Sequence, residues 1–231
     1  MARRIARFCA VLLAKVILWF VAISLILVIA FKWIPVPLTA TMVMDQNGFT
    51  KDWESLDNID PNLVAAVIAA EDAKFCQHFG FDTEAIEQAF EQNRLARANG
   101  GRIRGASTIS QQTAKNVFLW QNGGYFRKGL EAWFTFWIEA VWGKHRIMEV
   151  YLNVAETGIG TYGAQAGAER YFGHSAARLT RDEASRMAVA LPLPKSRAVR
   201  NPTGWLARHG DAIERQITIV QSQGLDDCIY P

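Results

Sequence analysis

The stretch that decides the fold is DPNLVAAVIAAEDAKFCQHFGFD, residues 60–82. Its Asp-Pro start is typical of an N-cap followed by the first helical position. Val64, Val67 and Ile68 then recur at helical spacing, and Glu71 falls on the same apolar face. The stretch therefore predicts a helix that packs against a core or a cleft and carries one carboxylate on its buried side.

Glu71 is the first candidate for chemistry. A carboxylate on an apolar face loses hydration, which raises its pKa toward that of a useful general base. A structural glutamate held by an arginine would occupy the same place, and the stretch alone leaves both interpretations open. His78 follows in the turn, where a structural role is favoured over a catalytic one.

The part of the chain that follows residue 50 is predicted to be mainly α. Alternating strand patterns are scarce, and we find neither an internal repeat nor a low-complexity tract. Helices are predicted near residues 61–76, 82–97, 107–119, 127–142, 144–153, 160–171, 180–191 and 203–223.

An apolar segment precedes this helical part and runs from Ala10 to Phe31, with Lys15 and Ser24 as its polar residues. Its 22 residues are enough to span a bilayer, which takes about 20. A cleaved signal peptide is the alternative, but its apolar region would be shorter and would end in small residues. The predicted organisation is a cytoplasmic basic segment at 1–9, a transmembrane anchor at 10–31, a membrane-proximal linker at 32–49 and an exported domain at 50–231.

Charge is distributed unevenly along the chain. Residues 1–33 contain five basic residues and no acid, which favours a cytoplasmic N-terminus and an exported remainder. Residues 34–231 contain 20 basic and 22 acidic residues, a balance that argues against binding nucleic acid. Within them, residues 92–130 contain seven basic residues and no acid. This basic segment needs an anionic partner or a nearby acidic face.

The cysteines and histidines give weaker signals. After export, Cys76 and Cys228 would meet an oxidising compartment, which permits a disulfide without requiring one. The sequence leaves that pairing open. The four histidines have no metal-ligand spacing.

Residues 105–116, GASTISQQTAKN, predict a helix that starts after a glycine-rich loop. Thr108 and Gln111 have the spacing of a capping box. Free backbone N–H groups at such a start can bind an anion, and Thr108, Gln111 or Gln112, and Lys115 can share a polar face. An ordinary capped and solvated helix is the alternative.

Arg127, Lys128 and Glu131 lie at the end of the basic segment, three and four residues apart. Taken alone, this spacing favours a surface salt bridge. Four aromatic residues follow within 133–137, where packing in the core or toward a membrane is favoured over a ligand cage.

Four motifs occur in order along the chain, at residues 71–82, 105–116, 127–131 and 146–153. Together they resemble the sequential motifs of the peptidoglycan glycosyltransferases of family 51, over roughly residues 50–200. The resemblance implies a mainly α, lysozyme-like glycosyltransferase domain with a cleft beside the membrane. It also implies polymerisation of lipid II into glycan strands, with release of undecaprenyl pyrophosphate.

The resemblance also implies roles for individual residues. The glutamate matching Glu71 acts as general base on the acceptor sugar 4-hydroxyl. The glutamate matching Glu131 lies near the donor pyrophosphate, where it either positions that group or holds a divalent metal ion, magnesium or manganese. No organic cofactor is implied. The residues expected to bind substrate are Ser107, Thr108, Gln111, Gln112, Lys115, Asn116, Arg127 and Lys128.

The expected partners are lipid II, the growing lipid-linked strand, the cytoplasmic (inner) membrane and other cell-wall synthases. The catalytic domain is expected in the periplasm, held there by a single-pass anchor. No Ser-x-x-Lys motif occurs in the chain, so we do not expect penicillin-binding transpeptidase activity.

One position departs from the family pattern. Many members have an arginine five residues before the lysine matched by Lys128, and here that residue is Gly123. Either one pyrophosphate contact is missing, or Arg102 or Arg104 supplies it.

Two other functions stay open. A glycan-cleaving lytic transglycosylase would need no pyrophosphate site, so the basic segment at 92–130 weighs against it. A non-catalytic cell-wall scaffold would have no use for Glu71 on an apolar face together with Glu131 among cations.

Overall fold

The computed structural model describes residues 2–101 and 105–230, and most of these are helical. The helices are α1 (Ala2–Phe31), α2 (Ala40–Val43), α3 (Pro61–Glu71), α4 (Thr83–Asn99), α5 (Ile109–Phe118), α6 (Gly124–Val141), α7 (Gly143–Val154), α8 (Ala164–Phe172), α9 (Arg181–Ala190) and α10 (Trp205–Ser222). The strands are β1 (Thr50–Lys51), β2 (Glu156–Gly158) and β3 (Thr161–Tyr162). The prediction of a mainly α fold behind one long apolar helix is confirmed.

Helix α1 is long and apolar enough to cross a membrane, and it begins at Ala2, ahead of the predicted start at residue 10. It packs against α6 through Ser24 and Val28, which are both buried. Trp133 Nε1 donates to Ser24 Oγ at 3.1 Å, and Trp142 Nε1 donates to the Val28 carbonyl at 2.7 Å. Helix α1 is therefore docked on the domain that follows it.

The core places α3 at the centre of the domain, packed against α9 and α10, while α5 packs between α6 and α7. Residues 63–68 of α3 are all buried. The helix ends at Glu71, because Asp72 leaves the helical conformation with φ −161° and ψ 73°. The predicted extension to residue 76 was wrong: Phe75 begins a separate 3₁₀ turn.

The three short strands form one small sheet, in which β3 pairs with β1 in parallel and with β2 antiparallel. The helix predicted at 160–171 starts only at Ala164, because residues 161–162 belong to β3. Strands of two or three residues are too short to show an alternating pattern in the sequence. This sheet places Glu156 and Tyr162 at the second of two cavities described below.

Cys76 and Cys228 form a disulfide, with their Cα atoms 5.5 Å apart. The bond links the turn after α3 to the C-terminal segment, which closes a separation of 152 residues. The pairing that the sequence left open is thus made in the structure.

Candidate active site

Glu71 ends α3 at the edge of a cavity of about 350 Å³, which Ser107 and Thr108 also line. We call this the first cavity. Burial raises the pKa of the Glu71 carboxyl. Gln112 Nε2 donates to Glu71 Oε2 at 2.8 Å and lowers the pKa in part, because the hydrogen bond stabilises the ionised form. Glu71 is thus a partly desolvated carboxylate with a raised pKa, which suits a general base that works near neutral pH.

The turn after α3 is bound to the start of α5 through Asp72. Asp72 Oδ1 lies 2.9 Å from His78 Nε2, and Asp72 Oδ2 accepts from the Ile109 backbone N–H at 3.0 Å. His78 therefore contacts Asp72 rather than Glu71. Thr108 Oγ1 adds a bond of 2.7 Å to the Gly80 carbonyl. These contacts hold the end of α3 and the start of α5 together, and so hold Glu71 beside Gln112.

The predicted capping box is present: the Thr108 side chain accepts from the Gln111 N–H, and the Gln111 side chain accepts from the Thr108 N–H. Two donors at this helix start, the N–H groups of Ile109 and Gln111, are therefore already bound within the protein. These two N–H groups are therefore not free for an anion, and an anion contact elsewhere at this helix start stays a prediction. Thr108 lines the first cavity, whereas Gln112 and Lys115 line a second cavity that is described below.

Arg127, Lys128 and Glu131 form a cluster on α6 in which Glu131 is buried, Arg127 is mostly buried and Lys128 is half-exposed. Glu131 is 2% exposed. Its Oε2 accepts from Arg127 Nη1 at 2.6 Å, and its Oε1 accepts from Lys128 Nζ. The interpretation as a surface salt bridge was therefore wrong. Lys128 Nζ also lies 3.2 Å from Ser107 Oγ, which connects the cluster to the first cavity.

Lys115 lies within electrostatic reach of both glutamates. Burial lowers its pKa, as do the charges of Arg127 and Lys128, while Glu131 and Glu71 raise it. Three cations, Lys115, Arg127 and Lys128, thus interact with the two carboxylates of Glu131 and Glu71, which leaves a surplus of one positive charge. Such a surplus suits a phosphate or pyrophosphate group.

Gly123 has a backbone that excludes the arginine of the family pattern. Its φ is +145°, which side-chain-bearing residues rarely adopt. A Cβ built there would lie 2.8 Å from Arg127 Cβ and 3.0 Å from Trp120 Nε1. Arg102 and Arg104, the predicted substitutes, lie outside the described residues.

A second cavity of about 160 Å³ lies beyond Gln112. Lys115 and Asn116 line it together with Gln112, as part of the predicted polar face. Glu156 and Tyr162 line it as well. Neither residue was predicted from the sequence, because both lie between the fourth motif and α8, where no spacing marks them.

The residues around Glu131 do not fit a metal ion held by the protein. Both of its oxygens accept from cations. Over residues 2–101 and 105–230, no group of three histidine, cysteine, aspartate or glutamate side chains gathers at one point. Glu131 is therefore better suited to holding Arg127 and Lys128 in place than to binding a divalent ion.

Comparison with known proteins gives one consistent answer. The family model described as Transglycosylase matches residues 39–220. A biosynthetic peptidoglycan transglycosylase of Caulobacter vibrioides is 48% identical over 99% of this chain and 100% of its own length. Proteins of the same name from Rhodospirillum centenum (44% identical, over 99% of this chain and 97% of its own length) and Pseudomonas putida strain F1 (48% identical, over 89% of both chains) are also similar. The chain therefore belongs to the transglycosylase family.

Proposed function

We propose that this protein is an enzyme that polymerises lipid II into the glycan strands of peptidoglycan. The relatives that match nearly the whole chain are named for peptidoglycan biosynthesis. The observation that carries the proposal is the pairing of Glu71, a carboxylate whose pKa burial raises, with the cationic cluster that reaches the same cavity through Ser107. A glycosyl transfer from a pyrophosphate needs both parts.

In the proposed reaction, Glu71 takes the proton from the 4-hydroxyl of the acceptor sugar. That oxygen attacks the anomeric carbon of the donor, and the new glycosidic bond forms as the bond to the pyrophosphate oxygen breaks. The configuration inverts, because attack and departure occur on opposite faces. Lys115, Arg127 and Lys128 stabilise the negative charge that develops on the leaving undecaprenyl pyrophosphate.

Glu131 has a supporting role in this scheme. It holds Arg127 and Lys128 at fixed positions, since each donates to one of its oxygens. No step passes through a metal ion. The surplus of cations also favours polymerisation over glycan cleavage, which releases no pyrophosphate.

We further propose that α1 crosses the cytoplasmic membrane with its N-terminus inside, so that the domain faces the periplasm. The basic residues ahead of the apolar stretch support this orientation. The disulfide between Cys76 and Cys228 supports an oxidising compartment. Association with other cell-wall synthases stays a prediction.

The test is incubation of the purified protein with lipid II, followed by sizing of the products on a gel. Wild-type protein should form polymer, Glu71→Gln should form none, and Glu87→Gln, which changes an exposed glutamate of α4, should match the wild type. Wild-type protein that leaves lipid II unchanged and shortens preformed glycan would contradict the proposal.

A further inference from the structure

The disulfide between Cys76 and Cys228 lies on the turn that positions the candidate base, and the proposed reaction does not use it. The turn after α3 spans residues 72–80, in which Cys76 comes five residues after Glu71. On one side, hydrogen bonds from the start of α5 hold this turn. On the other side, the disulfide links it to the C-terminal segment, residues 223–230, which follows α10.

The C-terminal segment has no hydrogen bond to that turn. Over residues 2–101 and 105–230, every hydrogen bond of the segment joins residues 219–230 to one another, as in the bond of 2.9 Å from the Ile229 N–H to the Asp226 carbonyl. Ile229 is 1% exposed, so apolar packing also holds the segment on the domain. Its place beside the turn thus depends on that packing and on the disulfide.

Two polar groups of the segment are buried without full compensation. The Tyr230 hydroxyl is buried and has no hydrogen-bond partner among the described residues. Asp226 is 7% exposed, and its pKa is raised by burial and further by the charge of Asp227. Both groups would gain hydrogen bonds with water if the segment left the domain. Packing therefore holds the segment less firmly than its apolar contacts suggest, and the disulfide supplies the rest.

We infer that the bond between Cys76 and Cys228 is a redox-controlled latch on the turn after α3. While the bond is intact, the C-terminal segment holds this turn and, through it, the end of α3 at Glu71. When the bond is reduced, the segment leaves, the turn loses its support on the α10 side, and polymerisation slows. The effect on polymerisation rests on the proposed function, whereas the release of the segment does not.

The reaction that opens the latch is thiol–disulfide exchange with a dithiol. Both cysteines are partly exposed, so a thiolate can reach their sulfur atoms. The attacking thiolate forms a mixed disulfide with one cysteine, and the bond in the protein breaks as the other cysteine leaves as a thiolate. The second thiol of the reductant then displaces the first cysteine. Two electrons and two protons pass to Cys76 and Cys228, and the dithiol becomes a disulfide.

The test reduces the full chain in lipid nanodiscs with dithiothreitol and follows amide hydrogen exchange. The chain carries Cys9→Ser, because Cys9 is a free, exposed thiol. Reduction should speed exchange at least about tenfold in residues 72–80 and 223–230, and less than about twofold in α5 and α6. Unchanged exchange would show that the segment stays in place, and an equal rise throughout the domain would show general unfolding. Either result would overturn the inference.

A second variant tests the buried hydroxyl. Tyr230→Phe removes the unpartnered oxygen and keeps the ring, so it should hold the segment more firmly after reduction. Exchange in residues 223–230 of the reduced protein should be at least about fivefold slower than without the substitution, the smallest gain expected from removing one unpaired buried polar group. Tyr125→Phe, at a tyrosine that is 95% exposed, should leave the exchange unchanged. Equal exchange in the two variants would overturn the account of how the segment is released.

Rate measurements with lipid II separate the latch from the proposed function. Reduction should lower kcat at least about tenfold and change KM less than about threefold, because the turn beside Glu71 moves while the cations of α5 and α6 stay in place. Reoxidation should restore kcat, and Cys228→Ser should match the reduced protein. An enzyme with equal kcat in both redox states would overturn the latch. Oxidised protein that does not polymerise lipid II would contradict the proposed function, and hydrogen exchange would still decide whether the segment is released.

Discussion

At the scale of single residues, the pKa of Glu71 results from opposing influences. Burial raises it, while the hydrogen bond from Gln112 and the charges of Arg197 and Lys115 lower it. Burial is the largest of these, so the pKa stays above the ordinary value. Under the proposed mechanism the base works only when ionised, so the rate should fall as the pH drops through this raised pKa.

Gln112→Ala provides a test of that balance. Loss of the hydrogen bond removes an influence that lowers the pKa of Glu71, so the acidic limb of the kcat/KM profile should move to higher pH. The measurement is the rate of polymerisation against pH for wild type and variant. Gln223→Ala, at an exposed residue after α10, should leave the limb in place. A limb that stays or moves to lower pH in Gln112→Ala would contradict this account of the Glu71 pKa.

Glu131→Gln should be costly for stability as well as for activity. The Glu131 side chain is 3% exposed, and removal of its charge leaves Arg127, which is 15% exposed, without its partner. Breaking a buried ion pair in this way costs about 3–5 kcal/mol. Lys128 is 45% exposed, so Lys128→Gln should cost about 1 kcal/mol or less. Denaturant unfolding of the two variants measures the difference, and equal losses would contradict the burial of Glu131.

At the scale of elements, the turn between α3 and α4 depends on Gly80. Its φ is +77°, and a Cβ there would lie 2.7 Å from Thr135 Cγ2 and 2.9 Å from Glu139 Cγ. Gly80→Ala should therefore separate this turn from α6. The turn also carries the Gly80 carbonyl that binds Thr108, so the start of α5 should move with it.

Gly173→Ala is the matched control. Gly173 has the same φ of +77°, and no atom of the described residues lies within 4 Å of the position that a Cβ would take there. The variant should show backbone strain alone, about 1–2 kcal/mol. Gly80→Ala should cost at least about 2 kcal/mol more, from overpacking. Thermal unfolding of both variants separates the cost of backbone strain from the cost of overpacking. Equal losses in Tm would mean that the turn can move away from α6 without cost.

The sequence predicted the elements better than the contacts between them. Helices were found because helical spacing is a local property, and the capping box at Thr108 was found for the same reason. The end of α3 was misplaced because Asp72 is held by the N–H of Ile109, 37 residues away. Burial of Glu131 and the place of Glu156 also depend on distant residues, and no local pattern shows them.

At the scale of the whole molecule, α1, the proposed anchor, is a packed part of the structure. Arg146 Nη2 donates to the carbonyls of Phe31 and Ile34 at 2.9 and 2.8 Å, which fixes the end of α1 against α7. Nearer the start of α1, the Phe20 ring lies 6.0 Å from the ring of Trp133. Because α1 is held at both of these places, the orientation of the cavities beside Glu71 follows the orientation of α1.

Docking of the anchor predicts that two adjacent aromatic residues of α1 differ in their effects. Phe20 packs on Trp133 and Phe134, whereas Trp19 is 66% exposed. Phe20→Ala should lose an aromatic contact of about 1 kcal/mol, which lowers Tm by about 2–4 °C in a chain of this size.

Trp19→Ala should leave Tm unchanged, because most of its side chain is already exposed. Both variants should be compared with wild type in lipid nanodiscs, where Tm and the rate of polymer formation are measured on one sample. Polymerisation should slow in Phe20→Ala alone, since loosening the anchor lets the cleft tilt away from its lipid-linked substrate. Equal behaviour of the two variants would show that α1 serves only as a tether.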